Sequence, residues 1–121
     1  MATKPIQQLD IYKLSEDLSD IIWFLYDEWN YKAQRTFGVQ VIDSADSIAA
    51  NLAEGYGRFT HKDRNKFYLY SRGSFEETKA WLRKAIRRKL ITKEVEFKLK
   101  TIIDELVPKL NSFINKSNQY F

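Results

Sequence analysis

The chain has 121 residues, 44% of them hydrophobic and 30% charged, which suits one globular domain with a single core and argues against a disordered chain. It has no Cys, one His and no apolar run long enough for a membrane span, so disulfides, thiolate chemistry, multi-histidine metal sites and a transmembrane helix are excluded. No signal peptide is recognisable at its start, and the expected compartment is the cytoplasm. The net charge of +4 conceals a polarity: residues 1–57 carry four Lys/Arg against nine Asp/Glu, and residues 58–121 carry sixteen against seven. Such a chain can pair with copies of itself or offer one basic face to an anionic partner.

Apolar residues at steps of three and four predict four helices and no strand. The first covers 13–30, with Leu14, Leu18, Ile21, Ile22, Leu25 and Trp29 on one face. Tyr12, Trp23 and Tyr26 lie toward the other side. Aromatic residues of this kind are favoured in interface cores, so they predict a homo-oligomer; the plainer reading is aromatic rings tucked under neighbouring side chains.

The second helix covers 36–54, with Val41, Ala45, Ile48, Ala49 and Leu52 on its buried side. Its small residues, Ser44, Ala45, Ser47, Ala49, Ala50 and Ala53, suit close packing against another helix. Gly55 is expected to end it in a left-handed conformation, with Gly57 loosening the connection.

The third helix covers 61–89, capped by Thr60 with Asp63 three residues on. Phe67, Ser71, Ser74, Thr78, Leu82 and Ala85 form its expected buried face, and Gly73 is read as a point of close helix approach. This helix holds most of the positive charge. Arg58, Lys62, Arg64 and Lys66 surround its start, Arg72, Lys79, Arg83 and Arg87 project from the far side, and Lys84, Arg88 and Lys89 thicken its end. These eleven cations are the candidate contacts to RNA or DNA. Against that stand a merely solvated or ion-paired face and, for the last three positions of the helix, compensation of the helix dipole. Glu76 interrupts the stripe; Tyr68 and Phe75 sit near its edge and could stack on bases, although Phe75 fits the core better.

The fourth helix covers 92–115, with Thr92 as N-cap and an apolar stripe of Val95, Leu99, Ile102, Ile103, Leu106, Leu110 and Phe113. Pro108 falls on the opposite face and is read as a kink, not an end. Residues 1–9 and those after Asn115 are expected to be frayed or committed to a partner. The whole chain, 1–121, reads as one all-α, up-and-down antiparallel four-helix bundle.

No catalytic constellation emerges. His61 stands alone, Glu76 and Glu77 point in different directions, and the Gly55-Tyr56-Gly57 run lacks the rest of a phosphate-binding loop. The chain is therefore expected to be no enzyme and to hold no cofactor and no metal. Asn51, Glu54, Arg58 and Glu77 are a candidate polar network between the second and third helices, the only place an enzymatic reading could rest.

The run from Gln40 to Gly57, QVIDSADSIAANLAEGYG, resembles the four-helix-bundle proteins encoded in intervening sequences of bacterial 23S rRNA genes, once labelled S23 ribosomal proteins. The matching residues are Gln40, Ser47, Ile48, Asn51, Leu52, Ala53, Glu54 and Gly55, followed by Gly57 and Arg58; a second block spans Arg72-Gly73-Ser74-Phe75-Glu76-Glu77. The resemblance implies a bundle that assembles into a homopentamer. It also implies kinship with the accessory variability proteins of diversity-generating retroelements, which bind nucleic acid and a reverse transcriptase. Where many relatives carry a basic pair early in helix two, this chain has Ile42 and Asp43, which shifts the expected RNA contact to the third helix. The alternative is a structural or protein-interaction oligomer with no nucleic-acid partner.

Overall fold

Each apolar stripe folds as a helix in the computed structural model of the protein, which describes residues 3–118. The four long helices are α1 (Asp10–Glu28), α2 (Val39–Tyr56), α3 (His61–Arg87) and α4 (Lys93–Asn118), and the described residues contain no strand. Packing runs in a closed order: α2 against α1 and α3, and α4 against α3 and α1. Short connections between successive neighbours make them antiparallel, giving the up-and-down bundle. Its centre is filled by fully buried Leu18, Ile22, Val41, Ile48, Leu52, Leu106 and Leu110.

The ends of the elements differ from the sequence expectation for local reasons. A 3-10 turn (Ile6–Gln8) leads directly into α1, so the helix starts at Asp10. The described residues before it, 3–9, are held in place, not frayed: the Tyr56 hydroxyl donates to the Lys4 carbonyl at 2.5 Å and Leu9 packs against the core; residues 1–2 lie outside the described residues. After α1, the Asn30 side chain accepts from the Ala33 N–H at 2.9 Å and starts a helical turn (Tyr31–Ala33). That turn passes through a π-helical stretch (Gln34–Gly38) into α2. The second helical segment thus begins before 36 and incorporates a widened turn. At the other end, α4 runs through Pro108 and extends past Asn115 to Asn118; residues 119–121 lie outside the described residues.

The closest helix approach is between α2 and α3, where small side chains let the backbones meet. Gly55 does not end α2 in a left-handed conformation. It is buried inside the helix, and no glycine of the described residues has a positive φ. A Cβ on Gly55 would stand 2.7 Å from the Tyr68 ring and 2.9 Å from the Arg64 carbonyl oxygen, so the contact itself demands glycine. Buried hydroxyls cross the same seam: Ser71 donates to the Ile48 carbonyl at 2.7 Å, and the Ser44 and Thr78 hydroxyls lie 2.9 Å apart. Pairing these groups avoids the cost of burying unsatisfied donors.

The Thr60 hydroxyl accepts from the Asp63 N–H at 3.1 Å and caps α3 as expected. Its buried face is Tyr68, Ser71, Phe75, Thr78, Leu82 and Ala85, while Phe67 and Ser74 are only half-buried. Gly73 is exposed, with no heavy atom within 4 Å of an added Cβ, so close approach within this chain does not explain it. The helix stops in a Schellman motif: the Leu90 N–H donates to the Ala85 carbonyl at 2.9 Å and the Lys89 N–H to the Ile86 carbonyl at 3.0 Å. Lys89 occupies the left-handed position, φ 60°, where glycine is usual. The Trp29 indole N–H donates to the Leu90 carbonyl at 2.9 Å and ties this turn to the end of α1.

Candidate nucleic-acid interface

Burial of one face of α3 turns the other outward over about 40 Å, the length of a helix of this size. Lys62, Lys66, Arg72, Arg83, Lys84 and Arg87 are exposed along it, and Arg88 and Lys89 are exposed just beyond its end. Among the described residues, none of these eight forms an ion pair. Three of the expected cations are otherwise engaged. Arg58 pairs with Glu54 at 2.6 Å, Arg64 donates through Nε to the Arg58 carbonyl at 2.6 Å, and Lys79 pairs with Glu76 at 2.9 Å. The Lys79 side chain is only 20% exposed and its ammonium lies 4.9 Å from the Phe75 ring centre, so it belongs to the α3–α4 groove more than to the outer face.

The aromatic residues redistribute as well. Tyr68 and Phe75 are core residues, and neither is available to stack on a base. Burial raises the pKa of the Tyr68 phenol, with nearby Arg64 working against the shift and Tyr56 adding to it. On α3 and the turn before it, the exposed rings are Tyr70, whose centre is 5.9 Å from the Lys66 ammonium, and Phe59, 98% exposed. Sequence reading missed both. Phe59 lies outside any periodic stretch, and Tyr70 belongs to an aromatic-rich run, Phe67-Tyr68-Leu69-Tyr70, with no polar gap to mark a face.

The four residues expected to form a polar network make local contacts. Asn51 donates to the Ser47 carbonyl at 2.9 Å, Arg58 holds Glu54, and Glu77 accepts from the Trp81 indole at 3.2 Å. No hydrogen bond joins these three contacts, so they do not assemble one site. The polar groups that do connect α2 with α3 are the buried hydroxyls of Ser44, Ser71 and Thr78. No group of three or more His, Cys, Asp or Glu among the described residues is placed to hold a metal ion. No helix among them is long and apolar enough to cross a membrane.

Negative charge gathers on the far side of the bundle. Burial and the neighbouring Glu16, Asp20 and Asp43 carboxylates raise the pKa of Asp46. Of the three aromatic residues expected at a subunit interface, Trp23 is 56% exposed. Tyr26 is half-buried with its ring against Gly38, and Tyr12 is half-buried with its phenol pKa raised by a hydrogen bond to Glu16. Phe24 and Val39, 66% and 60% exposed, add to the apolar surface near Trp23.

Residues 7–112 match the family model of the 23S rRNA-intervening sequence protein. The chain belongs to that family. The match spans the bundle from the 3-10 turn to the last turns of α4, so both motif blocks and the basic face lie inside it. No curated protein matches the chain.

Proposed function

We propose that this member of the 23S rRNA-intervening sequence protein family is a non-catalytic cytoplasmic oligomer that binds RNA through the outward face of α3. The observation that carries the reading is the row of exposed cations without carboxylate partners, from Lys62 to Lys89, whereas three of the five lysines of α4, Lys98, Lys100 and Lys109, are ion-paired. A surface that met only water would lose nothing by pairing these charges locally, as α4 does with Lys98–Glu94 and Lys100–Asp104. Phosphate contacts sum along such a row and would sum again around an assembly.

Self-assembly is supported by the apolar surface around Trp23, where a cavity of about 360 Å³ lies between Tyr26, Val39 and Ile42. The resemblance described above points to a homopentamer as the assembly, and the kinship it implies with accessory variability proteins extends the proposed partners to a reverse transcriptase. The protein-interaction reading has its own support in Glu76 and Glu77, which place negative charge in the middle of the basic row. One titration separates the two. Fluorescence anisotropy with a labelled 23S rRNA fragment at low salt is expected to show binding that Arg83→Glu/Arg87→Glu reduces at least tenfold. Unchanged binding in that variant removes the α3 reading, and no binding by the wild type leaves the interaction oligomer. Light scattering on the same sample reports the subunit number, and a monomer at micromolar concentration contradicts the assembly.

A further inference from the structure

At the end of the bundle where the α1–α2 connection meets the α3–α4 turn, a pocket of about 460 Å³ is lined by Asn30, Lys32, Thr36, Phe37, Arg88 and Leu90. Two cations 56 positions apart in the chain meet there, and no carboxylate is among the lining residues. Neither Lys32 nor Arg88 forms an ion pair among the described residues. The Asn30 side-chain oxygen is used by the Ala33 N–H, which leaves its amide nitrogen as a third donor. The Thr36 hydroxyl donates to the Lys32 carbonyl at 2.8 Å, and the Arg88 guanidinium lies 5.7 Å from the Phe37 ring centre.

Both walls have unusual backbone. One is the π-helical stretch Gln34–Gly38, a rare geometry that occurs frequently at functional sites. The other carries Lys89 in the left-handed region, immediately between Arg88 and Leu90. Beneath them, Trp29 is hydrogen-bonded to the Leu90 carbonyl and packs on Phe37 with ring centres 5.1 Å apart. That aromatic floor fixes the distance between the walls. The result is a preorganised group of donors with net positive charge above an apolar base, which matches an oxyanion attached to a less polar neighbour.

We propose that this pocket seats one phosphate of the RNA backbone between Lys32 and Arg88. The RNA surface then turns from the flank of α3 onto the end of the bundle. This rests on the RNA-binding reading above and adds Lys32 and Asn30, which lie outside α3. The test uses the full chain and the same labelled rRNA fragment, with Lys32→Gln and Arg88→Gln made separately and Arg72→Gln as a mid-helix comparison. Each pocket substitution is expected to weaken binding about three- to tenfold and to flatten the slope of log K against log salt by about 0.7, the share of one single-strand phosphate contact. Melting temperatures within 2 °C of wild type would show the fold intact, and Lys32→Gln, an exposed change, remains informative if Arg88→Gln is unstable. Wild-type affinity and slope in Lys32→Gln, with loss in Arg72→Gln, overturn the pocket and leave the α3 reading standing. Absence of binding by the wild type overturns both. Amide shifts at Thr36 and Leu90 with inorganic pyrophosphate, in a protein that binds no RNA, assign the pocket to a small free anion and also overturn the proposal.

Discussion

An alanine methyl at Gly55 would stand 2.7 Å from the Tyr68 ring and 2.9 Å from the Arg64 carbonyl oxygen. Tyr68 cannot swing aside: it is 3% exposed and its ring meets Phe113 edge-on at 4.8 Å. The Arg64 oxygen is backbone, so relief requires α3 to withdraw from α2. Overpacking of this kind costs about 1–3 kcal/mol, and the upper half applies where neither neighbour can yield. The better helix propensity of alanine returns about 1 kcal/mol, leaving Gly55→Ala destabilised by about 1–2 kcal/mol. For a domain of this size that is a fall of about 3–10 °C in melting temperature. Gly73 supplies the internal control. Nothing lies within 4 Å of its added Cβ, so Gly73→Ala gains propensity without a clash and should raise the melting temperature by about 2–6 °C. Thermal unfolding followed by circular dichroism at 222 nm reads both. A Gly55→Ala protein as stable as wild type would refute the reasoning, because it would mean the α2–α3 contact is not limited by Cβ volume.

Three further substitutions test other parts of the account. Lys89→Gly should stabilise the chain by about 1 kcal/mol in a denaturant titration, since a side chain at φ 60° costs about 1–2 kcal/mol that glycine does not incur. Trp29→Phe keeps an aromatic floor but leaves the Leu90 carbonyl without its indole donor, a loss of about 1–2 kcal/mol by the same titration. Burial, then Glu16, Asp20 and Asp43, hold the Asp46 carboxyl above its ordinary value of 3.8. The folded state therefore binds this proton more tightly than the unfolded chain, and stability declines as pH rises through the window between the two values. Asp46→Asn should melt slightly above wild type at pH 7, with the difference gone below pH 3.8.

Most of the fold was legible because sidedness at 3.6 residues per turn decides what a helix buries. Leu18, Ile22 and Leu25 in α1, and Val41, Ala45, Ile48 and Leu52 in α2, are buried as their spacing predicts. The Thr60 cap was equally readable, since a hydroxyl before an acidic first turn has one obvious use. Gly55 was misread because its role depends on Tyr68 and Arg64 of another helix, and a lone glycine near a helix end carries the same local signal whether it stops the helix or lets a neighbour approach. The π-helical stretch leaves no pattern in a chain read at a fixed period. On α3, Ser71, Thr78, Leu82 and Ala85 are buried as expected, but Phe67 and Ser74 yield to the next residues, Tyr68 and Phe75, because Phe67, Tyr68 and Leu69 are successive apolar side chains that leave the edge of the face unmarked. For the candidate interface, sequence supplied the cations of α3 but not Lys32, which joins Arg88 only through the meeting of two turns.

The most direct test of the central claim, that the unpaired cations of α3 meet RNA phosphates, is the salt dependence of affinity for an rRNA fragment. If three or more phosphates are engaged, log K should fall linearly with log salt at a slope steeper than about −2, and removing Arg72, Arg83 and Arg87 together should flatten it by about 2. A slope near zero, or the same slope with and without those three arginines, would contradict it.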